Sequence, residues 1–202
     1  MSVRYFKKGF RALGIAECFK KGSGKRSILA GVVMRADGLV DGFSFSTATV
    51  GGLDATEAVL RLYERLRRKD INILMLNGCV ISWFNVVDLH EVSERTGRPL
   101  ICVTYEPSQG LEPYFKQYFP GDWRERLAIY ERNGPRKEVM LRTGHEVFVR
   151  AIGLNEEDAV RVLNRFTLHG SIPEPLRLAR LLARAALRSA EELASAQPIS
   201  SR

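Results

Sequence analysis

The first fifty residues alternate between apolar runs and short turn-forming segments. The runs ALGIAECF (12–19) and SILAGVVMR (27–35) flank KKGSGKR, and a third run, LVDGFSFSTATV (39–50), follows the sequence ADG. Apolar and β-branched residues bounded by glycine-containing turns are typical of strands. The pattern predicts a hairpin with a basic tip and then a third strand, which together form an antiparallel meander.

The spacing of apolar residues changes after Asp54. From Ala55 to Leu66 they recur every three or four positions, which is the period of one helix face. Asp54 or Thr56 is placed to cap this helix, because a short polar side chain accepts hydrogen bonds from the first free backbone amides. The pattern predicts a helix that ends near Lys69.

A strand, a helix and a second strand are predicted next. The apolar run INILMLN ends at Gly78, a helix-like pattern covers Trp83 to Arg95, and PLICVTY (99–105) follows. Helical crossovers join parallel strands, and ligands gather beyond the carboxyl ends of such strands. We therefore expect a functional site where the two strands end. The residues at these ends are Asn77, Gly78, Tyr105 and Glu106.

The rest of the chain predicts further helices and a second hairpin. The predicted helices are 110–119, 122–132, 155–168 and 176–194, and the hairpin pairs 137–142 with 146–152. Residues 195–202 are expected to be a frayed tail. A meander followed by strand–helix units is typical of a mixed sheet with helices on its faces. We expect an α/β, ribonuclease H-like mixed sheet with an added hairpin and C-terminal helices, as a single domain over 1–202.

Composition and charge narrow the class of protein. The chain has 202 residues, 45% of them apolar, which suits one sizeable core. Lys and Arg outnumber Asp and Glu by 31 to 23, and a net charge of +8 favours polyanionic partners. No apolar run is long enough to span a membrane or resembles a secretory signal, so we expect a soluble, cytoplasmic protein. The three cysteines lie in apolar runs and are expected to be buried free thiols.

The glycine-rich, basic tip of the first hairpin invites a phosphate-binding interpretation. The GSGK string at 22–25 lacks the spacing of a P-loop and lies in a hairpin, which excludes that motif. Lys25 and Arg26 remain candidates for contacts with a phosphate backbone, and the alternative is an exposed, solubilising turn.

Several longer strings resemble a known family. They are GIAECF (14–19), TVGGLDATEA (49–58), LNGCVISWFNVVDL (76–89), LICVTYE (100–106) and GSIPEPLRLARL near the end. Together they resemble an uncharacterised archaeal family, domain of unknown function ninety-nine, over nearly the whole chain. The fold of that family resembles endonuclease V, a magnesium-dependent nuclease with a ribonuclease H-like core.

The resemblance implies an acidic, metal-binding site. Endonuclease V has one acid on its first strand, a second at the start of its first helix and a third that ends its fourth strand. Glu17 matches the first, Asp54 or Glu57 falls near the second, and Asn77 stands where the third is expected. The resemblance thus implies catalytic roles for these four residues and Mg²⁺ bound by Glu17, Asp54 and Asn77.

Asn77 and the end of the following strand depart from the endonuclease V pattern. Asn77 keeps an oxygen donor but lacks the negative charge, so the affinity for Mg²⁺ should fall. Tyr105 and Glu106 replace an endonuclease V lysine, and Glu106 is placed to compensate for the missing charge. The alternative to metal binding for Glu17 is a carboxylate that faces solvent or forms a salt bridge. For Asn77 the alternative is a turn residue whose side chain holds the Asn-Gly bend.

Three functions stay open at this point. The first is a DNA- or RNA-binding protein with a degenerate acidic site and weak Mg²⁺-dependent nuclease activity. The second is a noncatalytic nucleic-acid-binding module. The third is an enzyme that acts on a small nucleotide or phosphorylated ligand beside Gly51, Gly52 and Gly78. The oligomeric state is not predicted.

Overall fold

The computed structural model describes residues 7–20 and 25–195. In chain order its elements are β1 (Arg11–Cys18), β2 (Arg26–Arg35), β3 (Val40–Thr49), α1 (Ala55–Arg65), β4 (Ile73–Asn77), β5 (Val80–Ile81), β6 (Asn85–Val86), α2 (Leu89–Thr96), β7 (Leu100–Thr104), α3 (Glu112–Tyr118), α4 (Trp123–Arg132), β8 (Lys137–Met140), β9 (Glu146–Ile152), α5 (Glu156–Phe166) and α6 (Glu174–Ser195).

Seven of these strands form one mixed sheet in the order β3-β2-β1-β4-β7-β9-β8. The first three strands are antiparallel, as the meander predicted, whereas β1, β4 and β7 run parallel. The hairpin β8–β9 adds to β7 in an antiparallel direction. The predicted mixed α/β sheet, with its antiparallel meander, parallel strands, added hairpin and C-terminal helices, is therefore confirmed.

Helices cover both faces of the sheet. On one face, α1 and α2 pack on Leu13, Ile15, Leu74 and Leu76. On the other face, α5 and α6 cover the alternate strand positions, which include Met75. Successive side chains of a strand point to opposite faces, so this alternation also decides on which face each strand-end residue lies.

The helix predicted over 83–95 is wrong in its first half. The segment from Val80 to Val86 instead forms a small hairpin, β5–β6, and α2 begins only at Leu89. Asp88 caps α2 by accepting hydrogen bonds from the backbone amides of His90 and Glu91, both at 3.0 Å. Ile81, Val86 and Val87 in this segment are buried by tertiary contacts, which the helical spacing of valines and leucines does not reveal.

Helix α6 lies directly on β1 and β2. A Cβ atom at Gly14 would lie 2.4 Å from the backbone of Pro175, so only glycine allows this approach. Ala16 and Ala179 meet in the same small core. The expected frayed tail lies outside the described residues from 196 onward. None of the described helices combines the length and the apolar character needed to cross a membrane.

Candidate functional site

A cavity of about 690 Å³ opens at the carboxyl edge of β1, β4 and β7. The four residues that the strand ends predicted for a site line it, namely Asn77, Gly78, Tyr105 and Glu106. Glu17, which the resemblance to endonuclease V implied, lines it as well. They come from three strands or the loops that follow them, because parallel strands end at the same edge of the sheet. Gly78 turns the chain out of β4 with a φ of +83°, a conformation that favours glycine.

Glu17 has an incompletely satisfied carboxylate. Its Oε1 accepts a long hydrogen bond of 3.3 Å from the backbone amide of Ser82. Its Oε2 is buried and has no hydrogen-bond partner. Burial raises the pKa of Glu17, and the Ser82 amide opposes this only in part. A carboxylate in this state gains from a bound cation or a proton-donating ligand.

Asn77 borders the same cavity from the other face of the sheet. It pairs in register with Val103, whose side chain belongs to the core under α5 and α6. Glu17 follows the alternation of Leu13 and Ile15 and lies on the face of α1. The structure therefore places Glu17 and Asn77 around one open edge, with their side chains starting from opposite faces.

Asp54 does not line this cavity and is hydrogen-bonded through both carboxylate oxygens. It accepts hydrogen bonds from the backbone amide of Thr49 at 2.9 Å and from the Asn85 side chain at 2.8 Å. Arg26 adds a contact of 3.4 Å. Burial alone would raise the pKa of Asp54, but the hydrogen bonds from Thr49 and Asn85 outweigh it and lower the pKa. Asp54 occupies the N-cap position of α1 without forming a side-chain cap, because its oxygens point to these partners.

Gly51 and Gly52 lie against Arg126, a fully buried arginine. Its guanidinium donates to the carbonyl oxygens of Gly51, Gly52 and Phe84, each at 2.8 Å. The remaining N–H groups bond Asp122 at 2.7 and 2.8 Å. All five N–H groups of Arg126 are thus used. This glycine turn is part of a structural junction, which we call the arginine junction, formed by Gly51–Asp54, Phe84–Asn85, Asp122 and Arg126.

Glu57 and Arg26 also lie apart from the cavity lining. Glu57 is half exposed on α1 and forms an ion pair with Arg95 of α2. That ion pair lowers the pKa of Glu57. Arg26 donates to Thr47 and Thr49 on the neighbouring strand β3. Lys25 is exposed at the end of the hairpin, whereas the rest of its tip, residues 21–24, lies outside the described residues.

A strained turn connects β5 and β6. Ser82, Trp83 and Phe84 have φ values of +47°, +60° and +61°, a conformation that costs about 1–2 kcal/mol per residue outside glycine. Distant hydrogen bonds hold it: the hydroxyls of Ser82 and Ser27 are 2.5 Å apart, and Gly51 donates to the Ser82 carbonyl at 2.7 Å. The turn places the Ser82 amide on Glu17 and Phe84 in the cavity wall.

Phe84 belongs to an aromatic cluster with α3. Its ring stacks on Tyr114 and Tyr118 with centroid distances of 6.1 and 5.7 Å. The two tyrosines are about half exposed, and Phe115 beneath them is fully buried. The cluster gives the cavity one apolar, partly aromatic side.

Four arginines also line the cavity and were not among the predicted site residues. They are Arg136, Arg150, Arg180 and Arg184. Arg136 donates to the carbonyl of Glu106 at 3.0 Å and Arg150 to that of Gly134 at 2.7 Å. Neither arginine forms a salt bridge with a carboxylate in the part of the chain that the structure describes. The four-residue spacing of arginines in α6 was the one sequence signal for this group, whereas Arg136 and Arg150 converge only through the added hairpin.

Two more polar groups lie in the cavity wall. The Tyr105 hydroxyl is buried without a hydrogen-bond partner, and burial raises its pKa. Arg150 donates to the Cys79 sulfur at 3.6 Å. The neighbouring Cys102 thiol and the positive charge of Arg150 lower the pKa of Cys79 against the effect of burial. Cys79 and Cys102 are buried free thiols, as expected, whereas Cys18 is only half-buried.

The implied Mg²⁺ can be tested against these donors. Among the residues that the structure describes, no three His, Cys, Asp or Glu side chains are grouped as a metal site requires. Glu17 nevertheless offers one buried carboxylate oxygen that lacks a partner. Mg²⁺ is often held by one or two carboxylates while water and substrate phosphates complete its shell. The residues thus fit one Mg²⁺ shared with a phosphate ligand, and they do not fit a pair of ions held by three acids.

Comparison with solved structures defines the class of protein. A protein of unknown function from Archaeoglobus fulgidus DSM 4304 superposes with a TM-score of 0.75 and 25% identity, over 88% of this chain and 98% of that one. Ciona intestinalis endonuclease V, bound to a 24mer DNA containing an inosine followed by a ribo-adenosine, gives a TM-score of 0.63 at 14% identity, over 90% and 87%. The protein has the ribonuclease H-like fold of endonuclease V, as expected from the resemblance.

The family follows from the sequence comparisons. The family model described as Endonuclease dU matches residues 8–187. A UPF0215 protein of Pyrobaculum calidifontis is 40% identical over 172 residues, which are 85% of this chain and 93% of the relative. The chain belongs to the Endonuclease dU family. Family and fold together indicate a nuclease-like function on nucleic acid.

Proposed function

We propose that this protein is an endonuclease that cuts a DNA strand at or near deoxyuridine in the cavity beside Glu17. The observation that carries the proposal is the buried, unpartnered Oε2 of Glu17 in a cavity bordered by four arginines. An uncompensated carboxylate among cations suits a ligand that brings both phosphate and a divalent cation. The name of the family supports deoxyuridine as the substrate feature.

Each side of the cavity has a chemical role in this proposal. The arginines bind the phosphodiester and offset its charge, and the Tyr105 hydroxyl is free to donate to a phosphate oxygen. Phe84 and Leu111 offer apolar surface to a base. Glu17, with Asn77 across the edge, would hold Mg²⁺. When bound, Mg²⁺ polarises a phosphoryl oxygen and lowers the pKa of a coordinated water.

The test is a cleavage assay with three end-labelled oligonucleotides of one sequence. They contain deoxyuridine, deoxyinosine or an ordinary base at one position, and each is incubated with Mg²⁺, Mn²⁺ or EDTA. We expect a cut at a fixed position beside deoxyuridine that depends on the cation. Glu17→Gln should lower the rate by at least about 100-fold, because it removes the charge that holds the cation.

Glu64→Gln is the matched control for this assay. It makes the same chemical change at an exposed position of α1, away from the cavity lining, and should leave the rate within about twofold. The proposal is abandoned if no oligonucleotide is cut with either cation, or if Glu17→Gln cuts as fast as Glu64→Gln.

A noncatalytic nucleic-acid-binding module is the second candidate. It is favoured by the amide at Asn77 and by the absence, among the described residues, of three metal-binding side chains in one group. It predicts salt-dependent binding of DNA that Glu17→Gln does not weaken, and no cleavage. Calorimetric titration with Mg²⁺ separates the two candidates, because only the nuclease requires a heat of binding that Glu17→Gln abolishes.

A further inference from the structure

Helix α6 presents a row of arginines that starts in the cavity and continues beyond it. Arg180, Arg184 and Arg188 are four residues apart, so successive members lie about 6 Å apart on one side of the helix. Arg180 and Arg184 line the cavity. Arg188 lies one turn further on, and all three arginines are near enough to Cys18 to favour its thiolate against burial and Glu17, which together raise the pKa of Cys18.

The row cannot rotate away from the cavity, because the packing of α6 fixes the helix. Pro175 is held against Gly14, where even a Cβ atom would not fit. Ala179 and Ala183 are fully buried on the sheet side of the helix. This packing fixes the side of α6 from which the three arginine side chains extend.

The charges of this row are not neutralised within the described part of the protein. Arg177, one turn before the row, is bound by both oxygens of Glu174 at 3.0 Å. Arg180, Arg184 and Arg188 are exposed and form no ion pair with a described side chain, although Glu17 shares the cavity with the first two. The row of Arg180, Arg184 and Arg188 therefore differs from Arg177 on the same helix, whose charge is paired. Exposed positive charges without a paired carboxylate are suited to binding an anion.

The Tyr105 hydroxyl, near Arg180 at the cavity end of the row, also points to a phosphate ligand. The buried Tyr105 hydroxyl has no hydrogen-bond partner, and Arg180 is near enough to oppose, in part, the effect of burial on its pKa. A hydroxyl donor beside an arginine suits a phosphate oxygen. The cavity end of the row is thus built for a phosphate, and the outer end continues at a spacing comparable to that of phosphates along an extended strand.

From this placement we propose that Arg180, Arg184 and Arg188 form a track for consecutive phosphates of one DNA strand that leaves the cavity along α6. This deepens the proposed function, since it rests on a nucleic-acid strand as the substrate. A single row favours one strand, because a duplex presents two lines of phosphate.

The test measures binding of a fluorescein-labelled single-stranded 16-nucleotide DNA by anisotropy, in EDTA and across a series of salt concentrations. The variant carries Gln at positions 180, 184 and 188 (R180Q, R184Q and R188Q). Each lost phosphate contact lowers the salt slope by about 0.7, so the slope should fall by about 2 and the affinity by about 100-fold at 0.1 M salt.

A matched control carries R67Q, K69Q and R165Q, which changes the net charge equally at exposed positions with no side-chain partner among the described contacts. We expect a loss of less than about threefold for this control, because it removes only distant charge. Equal losses for both triple variants, or an unchanged Kd for the α6 variant, would overturn the track. Circular dichroism melting of each variant shows that the fold is kept.

R188Q alone distinguishes a strand from a small phosphorylated ligand. A strand that follows α6 should lose about fivefold in affinity, the effect of one contact at 0.1 M salt. If R188Q binds normally while R180Q and R184Q do not, the ligand ends in the cavity and the track is wrong. If the wild type cuts DNA but the α6 variant binds it as well as the wild type does, the track is rejected and the nuclease proposal stands. If binding depends on the three arginines but no DNA is cut, only the nuclease proposal is rejected.

Discussion

Glu17 and Asp54 are both carboxylates near the carboxyl edge of the sheet, but they lie in opposite environments. Asp54 belongs to the arginine junction, where its oxygens accept hydrogen bonds from Thr49 and Asn85. Glu17 has one long hydrogen bond and one buried oxygen without a partner. The partners of an acid, and not its position near a strand end, therefore separate a structural carboxylate from a candidate catalytic one.

The two regions are also mechanically linked through the β5–β6 turn. Its residue Ser82 donates to Glu17, while Phe84 accepts from Arg126 and Gly51 donates to Ser82. The hydrogen bonds of the junction offset the cost of three consecutive left-handed residues. The arginine junction, which is rich in hydrogen bonds, thus holds in place the turn beside Glu17, whose carboxylate lacks a full set of partners. This is the arrangement expected of a preorganised site.

The largest effect should come from breaking the centre of the junction. Arg126→Ala leaves three backbone carbonyls and Asp122 without their donor in a buried site, so we expect a loss of about 3–5 kcal/mol in the free energy of unfolding. Urea denaturation followed by circular dichroism measures it. Arg124→Ala, on the same helix but exposed, is the control and should cost less than about 1 kcal/mol. Similar costs for both variants would show that Arg126 is not central.

A smaller loss is expected for the structural carboxylate. Asp54→Ala leaves the Thr49 amide and the fully buried Asn85 amide without an acceptor, which should cost about 2–3 kcal/mol. The same denaturation experiment applies. Stability equal to the wild type would mean that the junction tolerates loss of this acceptor.

Glu17 should respond in the opposite direction. Glu17→Gln removes a buried charge that lacks a full set of partners, so we expect the protein in EDTA at pH 7.5 to gain about 1 kcal/mol in stability. Differential scanning calorimetry should show a higher Tm for the variant. A clear loss of stability would place Glu17 with Asp54 as a structural acid.

The smallest effect is a difference in pH dependence at Asp54. Its pKa is lower in the folded protein than in the unfolded chain, so its contribution is complete above the unfolded pKa of about 3.9 and is lost as the pH falls through the folded value. Between pH 6 and pH 2.5 the stability of the wild type should therefore fall more steeply than that of Asp54→Asn. Parallel pH profiles for the two proteins would contradict the lowered pKa.

The strands and the position of the cavity were predictable because they depend on local pattern. Runs of β-branched residues gave β1, β2, β4 and β7 within about two residues of their observed ends. The rule that parallel strands carry ligands at their carboxyl ends then brought Asn77, Gly78, Tyr105 and Glu106 to one cavity. Both inferences need only the period of the sequence and the rule that helical crossovers join parallel strands.

The β5–β6 turn was not predictable, because nothing local stabilises it. Trp83 and Phe84 adopt left-handed conformations that their own side chains disfavour, and residues far away in the chain, Ser27 and Arg126, hold the turn. The burial of Arg126 was not predictable either. The sequence pattern of an amphipathic helix predicts a solvent-exposed position for an arginine, and only the tertiary structure shows that the carbonyls of another loop surround this one.

By itself the sequence determined the order of strands and helices, the basic character and the set of oxygen-bearing residues near the strand ends. Only the tertiary structure decided which of these acids are already satisfied, that Glu17 and Asn77 start from opposite faces, and that arginines of α6 and of the added hairpin close the cavity. Periodicity along a chain follows from short-range geometry, whereas hydrogen-bond saturation and the meeting of charges depend on contacts between residues far apart in sequence.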